Sequence, residues 1–171
     1  MIASDIHGSA YYCRQLLNAY NREQADRLLL LGDLLYHGPR NDLPEEYDPK
    51  QVIELLNAKK QHILCVRGNC DAEVDQMVLQ FPIMADYCAI ADGDTLIYAT
   101  HGHTYNEHFL LAQYLFEKGF LIFYKSLSSG RCRFLKFFSV LPVRFLSGSM
   151  GNRCECHIKS CLRSGKRLWN H

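Results

Sequence analysis

No stretch of this 171-residue chain is apolar for long enough to cross a bilayer. A membrane span needs roughly 18 apolar residues in a row, whereas "FLIFY" and "FLLAQYLF" are the size of core segments. The start has no basic region leading into an apolar stretch, so export is not expected and a cytoplasmic protein is. The eight cysteines are irregularly spaced. That argues against a disulfide framework and for reduced thiols. Acid is scarce in one place only. Residues 125–171 carry ten Lys and Arg but a single acid, Glu155, a net +9, while residues 1–124 carry nine bases and 17 acids, a net −8. Such a break divides the chain into a domain over 1–124 and a basic tail over 125–171.

What is present reads as an ordinary globular composition, 48% hydrophobic and 22% charged, enough for one domain with a core. The first 124 residues alternate between strand and helix. Ala10, Cys13, Leu16, Leu17 and Tyr20 recur at helical spacing. "RLLLLGD" is a continuous apolar run closing on glycine, the pattern of a strand buried on both faces. Asp48-Pro49 opens a second helix, with an N-cap acid and a proline in the first turn before Val52, Ile53, Leu55 and Leu56. "QHILCVRGN", "DGDTLIYATHGH" and "GFLIFY" read as further strands. The opening strand is short, with only Met1-Ile2-Ala3 before its loop, so its start is expected a few residues upstream. After Lys125 no strand–helix rhythm is expected.

Four polar clusters follow four of these strands: Asp5-x-His7, Gly32-Asp33, Gly68-Asn69-Cys70-Asp71 and His101-Gly102-His103. In an open α/β sheet, side chains just past the carboxyl ends of strands converge on one crevice. Oxygen and imidazole donors together suit Mn, Fe, Zn or Mg rather than a sulfur-only site. A carboxylate such as Asp33 is able to bridge two cations about 3.5–4 Å apart, the arrangement that clamps a phosphoryl displacement. Taken singly, each cluster has a plainer reading as a turn, a helix cap or a solvated loop. Asp71, for instance, reads as a cap. All four in this order favour a shared site.

The strings "SDIHGS", "LLLLGDLLYHGPRN", "VRGNCDAEVDQM" and "THGHTYNEH" resemble successive blocks of the calcineurin-like metallophosphoesterases, and among them the small bacterial YfcE-type branch. The resemblance covers about residues 1–124. It implies an α/β fold, a four-layer sandwich of two mixed β-sheets flanked by helices and incomplete at the C-terminus. It implies a metal-dependent phosphodiesterase acting on a small phosphodiester through two divalent cations, Mn first, and a metal-activated hydroxide. Asp5 and His7 would bind the first cation, Asp33 would bridge, and Asn69 and His101 would bind the second. Asn69 and Cys70 would stand at the chemistry, Cys70 replacing the histidine of many relatives. That thiol reads equally as a donor or as a small residue with no catalytic part. The rival from another class is a non-catalytic scaffold on the same fold.

The pattern then stops. The family's Gly-His-x-His block and Asn-Pro-Gly-Ser loop are absent after "GFLIFY", and the tail's remaining histidines are His157 and His171. Three readings compete: a tail from a shifted reading frame, which is preferred; a divergent member recruiting Cys154, Cys156, His157 and Cys161; or a basic arm for nucleic acid, the lesser reading beside a solvated tail. Loss of two imidazoles predicts weak metal occupancy and weak activity.

Overall fold

The computed structural model describes residues 1–93, 95–105, 121–126, 131–135, 144–147 and 156–159. Three short apolar runs form parallel strands: β1 (Ile2–Ala3), β2 (Leu28–Leu30) and β3 (Ile63–Cys65). Ile2 lies opposite Leu29, and Leu29 opposite Leu64. Parallel neighbours need crossovers, and α1 (Ala10–Arg22) and α2 (Pro49–Asn57) provide them. Ser9 caps α1, its hydroxyl accepting from the Tyr12 N–H at 3.1 Å. Asp48 caps α2 in the same way, through the Gln51 N–H at 3.1 Å, with Pro49 in the first turn.

The two-residue period of the strands divides their side chains between two cores. Ala3, Leu28, Leu30 and Cys65 pack with Cys13, Leu16, Val52 and Leu56 of the helices. Ile2, Leu29, Leu31 and Val66 face the other way, against Ile97 and Ala99 of a second sheet. That sheet has the order β4 (Tyr87–Asp92), β5 (Thr95–Thr100), β6 (Leu121–Ser126), β7 (Arg131–Leu135). β5 and β6 run parallel and the outer pairs antiparallel. β8 (Arg144–Ser147) and β9 (Cys156–Lys159) extend the first sheet, giving β3-β2-β1-β9-β8 with β9 antiparallel to β1. Both sheets are mixed and the fold is α/β. The described elements supply three of the four expected layers: α1 with α2, the first sheet and the second. No helix among the described residues is long and apolar enough to cross a membrane.

Three features depart from the sequence reading. "QHILCVRGN" reads as another buried strand, but Leu64 of β3 is 41% exposed; among the described strands β3 stands at the edge of its sheet. α3 (Glu73–Val78) was foreshadowed only by the plainer reading of Asp71 as a cap, and β4 was not expected. α3 leaves Val74, Met77 and Val78 exposed, so it has no buried apolar stripe to announce it. Nor does the backbone lack strands after Lys125: β7, β8 and β9 lie there. Arg131-Cys132-Arg133-Phe134 does alternate, but over too few residues to stand out from the basic background.

Candidate metal centre

The loop after β1 is stitched to the loop after β2 through main-chain hydrogen bonds. The N–H groups of Asp5, His7 and Gly8 donate to the carbonyls of Gly32, Asp33 and Leu34 at 3.0, 2.9 and 2.8 Å. The loop after β3 is pressed against the same segment. A Cβ on Gly68 would overlap the Asp33 carboxylate, so only glycine fits there. Asp71 fixes this contact. Its Oδ2 accepts from the N–H groups of Asp33 and Gly68 at 2.8 and 2.7 Å, and its Oδ1 from that of Leu34 at 2.9 Å. The plainer reading of Asp71 was a helix cap, yet the residue at the cap of α3 is Ala72, whose N–H is held by Asp75 at 2.9 Å. Asp71 instead joins two site loops, and the only hint in the sequence is an acid directly behind the Gly-Asn-Cys turn.

This framework brings Asp5, His7, Asp33, Asn69, Cys70 and His101 together. Asp33 lies between the two histidines, its Oδ2 3.7 Å from His7 Nε2 and 3.5 Å from His101 Nε2. Its Oδ1 accepts from the Cys70 N–H at 2.8 Å. His7 Nε2 stands 3.1 Å from Asp5 Oδ1, and His101 Nε2 stands 3.0 Å from Asn69 Oδ1. Donor atoms of Asp5, Asp33 and His101, and separately of His7, Asp33 and Cys70, all lie within 4.8 Å of one another. Asp33 belongs to both groups. Asp5, His7 and Asp33 also share a left-handed backbone, with φ of 63°, 50° and 58°. Non-glycine residues are rare there, and such strain gathers at functional sites.

The hydrogen bonds of the two imidazoles test whether a cation fits. His7 Nδ1 donates to the Tyr36 carbonyl at 2.7 Å and His101 Nδ1 to the Leu31 carbonyl at 2.6 Å, since a carbonyl only accepts. Each neutral ring then has a lone pair on Nε2, aimed at another oxygen lone pair. Such a pair wants a proton or a metal ion between its members, and a carbonyl behind a ligating imidazole is the usual support for a metal. Asp33 is 1% exposed, and among the described residues its ion-pair partners are only these two imidazoles. A buried carboxylate so poorly neutralised favours a cation. The donor set fits divalent metal.

Electrostatics follow the same layout. Burial works against a charged His7, but the Asp5 hydrogen bond, the Tyr36 carbonyl and the Asp5 and Asp33 charges outweigh it, and its pKa rises above the ordinary value. His103, not singled out as a ligand from the sequence, has its ring 5.2 Å from that of His101. Burial, and then His101, lower its pKa. Of the tail candidates, Cys154 and Cys161 lie outside the described residues, while Cys156 and His157 are positions of β9.

With this geometry in place, comparison with known proteins gives a consistent picture. Phosphodiesterase YfcE of Escherichia coli K12 is 47% identical over 105 residues, which are 61% of this chain and 57% of that protein. The same figures hold for phosphodiesterase YfcE of Escherichia coli O157:H7. The chain therefore spans 57% of the length of these curated relatives. The solved structure of Yfce, described as a phosphoesterase from E. coli, superposes with a TM-score of 0.62 at 46% identity, over 63% of this chain and 59% of that one. The sequence model of the calcineurin-like phosphoesterase family matches residues 1–163, past the last motif block and through β9. The chain belongs to the calcineurin-like phosphoesterase family.

Proposed function

We propose that this chain is a metal-dependent phosphodiesterase acting on a small phosphodiester, with Asp5, His7, Asp33, Asn69 and His101 holding two divalent cations. Manganese is the first choice, with zinc, iron or magnesium compatible with the same donors. One observation carries the reading: two imidazole lone pairs face oxygen lone pairs on either side of the buried Asp33 carboxylate. The relatives' name, phosphodiesterase, supports the reaction class. When bound, the cations would supply Lewis acidity, making water a nucleophile near neutral pH and offsetting charge on phosphoryl oxygens.

The protein's own part is placement. Asp5 and His7 hold one side of the cradle and Asn69 and His101 the other, with Asp33 shared. The Tyr36 and Leu31 carbonyls fix both rings so that neither turns away from the reacting group. Cys70 flanks the cradle through its N–H bond to Asp33. The chain's irregularly spaced cysteines favour the cytoplasm as its location. The sequence lacks Gly-His-x-His, so occupancy and turnover should be weak. That lack also favours a second reading, a scaffold that keeps the fold without turnover.

Hydrolysis of bis(p-nitrophenyl) phosphate decides between them. The enzyme reading expects slow turnover that needs Mn2+, stops with EDTA and is lost in Asp33→Asn. Turnover indifferent to metal or to Asp33→Asn would overturn it. Tight Mn2+ binding with no turnover would select the scaffold.

A further inference from the structure

Cys70 occupies a different position from the other described thiols. Cys13 and Cys65 lie in the helix-side core, and Cys88 packs against the inter-sheet core. Cys70 alone among the described cysteines belongs to a donor cluster, its Sγ grouped with a His7 nitrogen and an Asp33 oxygen within 4.8 Å. Two of these three residues are held independently of the sulfur. His7 is fixed by the Tyr36 carbonyl, and Asp33 is 1% exposed and braced by Asp71. The sulfur is fixed in turn, because the Cys70 N–H is tied to Asp33 Oδ1 and Sγ accepts from Asn69 Nδ2 at 3.2 Å. The neighbouring loop leaves room: a Cβ on Gly38 would come no closer to Sγ than 3.6 Å. Bonds of roughly 2.0–2.3 Å to one cation put ligand atoms about 3–4 Å apart, so the cluster needs only a modest closure.

We propose that Cys70 is itself a metal ligand, supplying a thiolate to the cation held by Asp5, His7 and Asp33 in place of an imidazole that this sequence does not provide. The inference deepens the metal reading above and rests on it. A thiolate makes that half of the centre softer than a nitrogen–oxygen site, so Zn2+, Co2+ and Cd2+ gain on Mn2+ and Mg2+ there. Coordination releases the thiol proton to solvent. The two halves then differ in metal preference, one with sulfur and one with the oxygen of Asn69 and the nitrogen of His101.

The test is a Co2+ titration of the full chain, read by the near-ultraviolet sulfur-to-cobalt charge-transfer band, with Mn2+ binding measured calorimetrically in parallel. The proposal expects the band in the wild-type chain and its loss in Cys70→Ser. It also expects Co2+ to bind about tenfold or more weakly in that variant, while Mn2+ affinity changes far less. A zinc-edge absorption spectrum of the wild-type chain at one equivalent should show sulfur at about 2.3 Å, a readout independent of how the variant folds. Cobalt bound without the band, a band that survives Cys70→Ser, or zinc without sulfur would each overturn this inference and leave the metal reading standing. A chain that binds neither Mn2+ nor Co2+ would overturn both.

Discussion

Asp71 shows how much one side chain does at the residue scale. Its two oxygens accept three main-chain N–H bonds, from Asp33, Gly68 and Leu34, inside a site where Asp71 is 3% exposed. Hydrogen bonds to a charged group are worth about 1.5–3 kcal/mol each, and an orphaned buried donor costs a similar amount. Asp71→Asn keeps the shape but turns one acceptor into a donor facing N–H groups. We expect it to cost about 3 kcal/mol of stability in urea unfolding, and to weaken Mn2+ binding although Asp71 is not itself one of the proposed ligands. A loss below 0.5 kcal/mol, roughly the scale of an ordinary surface substitution, would show the brace to be incidental. The grouping of these six residues, Asp5, His7, Asp33, Asn69, Cys70 and His101, was legible from the sequence because each lies in a short polar stretch that follows an apolar run. Asp71 was not legible as a brace, because an acid after Gly-Asn-Cys looks the same whether it caps a helix or joins two loops. The two carbonyls that orient His7 and His101 have no side-chain signature at all.

At the scale of elements, the buried thiols of α1 and β3 and the half-buried thiol of β4 make stability depend on pH. Burial pushes the Cys13 thiol up to about 12, with Arg14 opposing slightly, and the Cys88 thiol up to about 11. Burial also holds Cys65 well above the ordinary value, with Asp71 adding to it. In the unfolded chain these thiols ionise near 9.0, their ordinary value. Between the two values the unfolded state has released protons that the folded state keeps, so stability falls as pH rises. Their contribution is intact below pH 9.0 and is lost as pH climbs through about 11 and about 12. Urea midpoints should therefore drop from pH 8 to pH 11, with a shallower slope in Cys13→Ala. A slope unchanged in that variant would mean that Cys13 ionises freely in the fold. α1 and α2 were legible through their 3.6-residue apolar spacing and the Asp48-Pro49 start. α3 was not, since Met77 is 84% exposed and the helix has no buried face; nor was β4, whose Cys88 and Ile90 face the inter-sheet core but alternate with Tyr87, Ala89 and Ala91, so the strand shows no polar–apolar contrast.

Over the whole molecule, two mixed sheets meet through Ile2, Leu29, Leu31 and Val66 on one side and Ile97 and Ala99 on the other. That contact sets the distance between the loop after β5, which carries His101, and the loops after β1, β2 and β3. The centre thus depends on both sheets being joined, although its donors are more than 90 residues apart in sequence at the extremes, Asp5 to His101. Strands contributed from beyond residue 124 sit in both sheets, with β9 between β1 and β8 and β7 beside β6. Sequence patterning showed β1, β2 and β3 well and the strands after Lys125 poorly, because a four- or five-residue alternation among arginines carries little periodic signal. The most direct measurement is an anomalous difference map from crystals grown in excess Mn2+. The account predicts two peaks flanking the Asp33 carboxylate, one beside Asp5 and His7 and one beside Asn69 and His101. No peak at Asp33, or manganese bound only elsewhere on the chain, would contradict it.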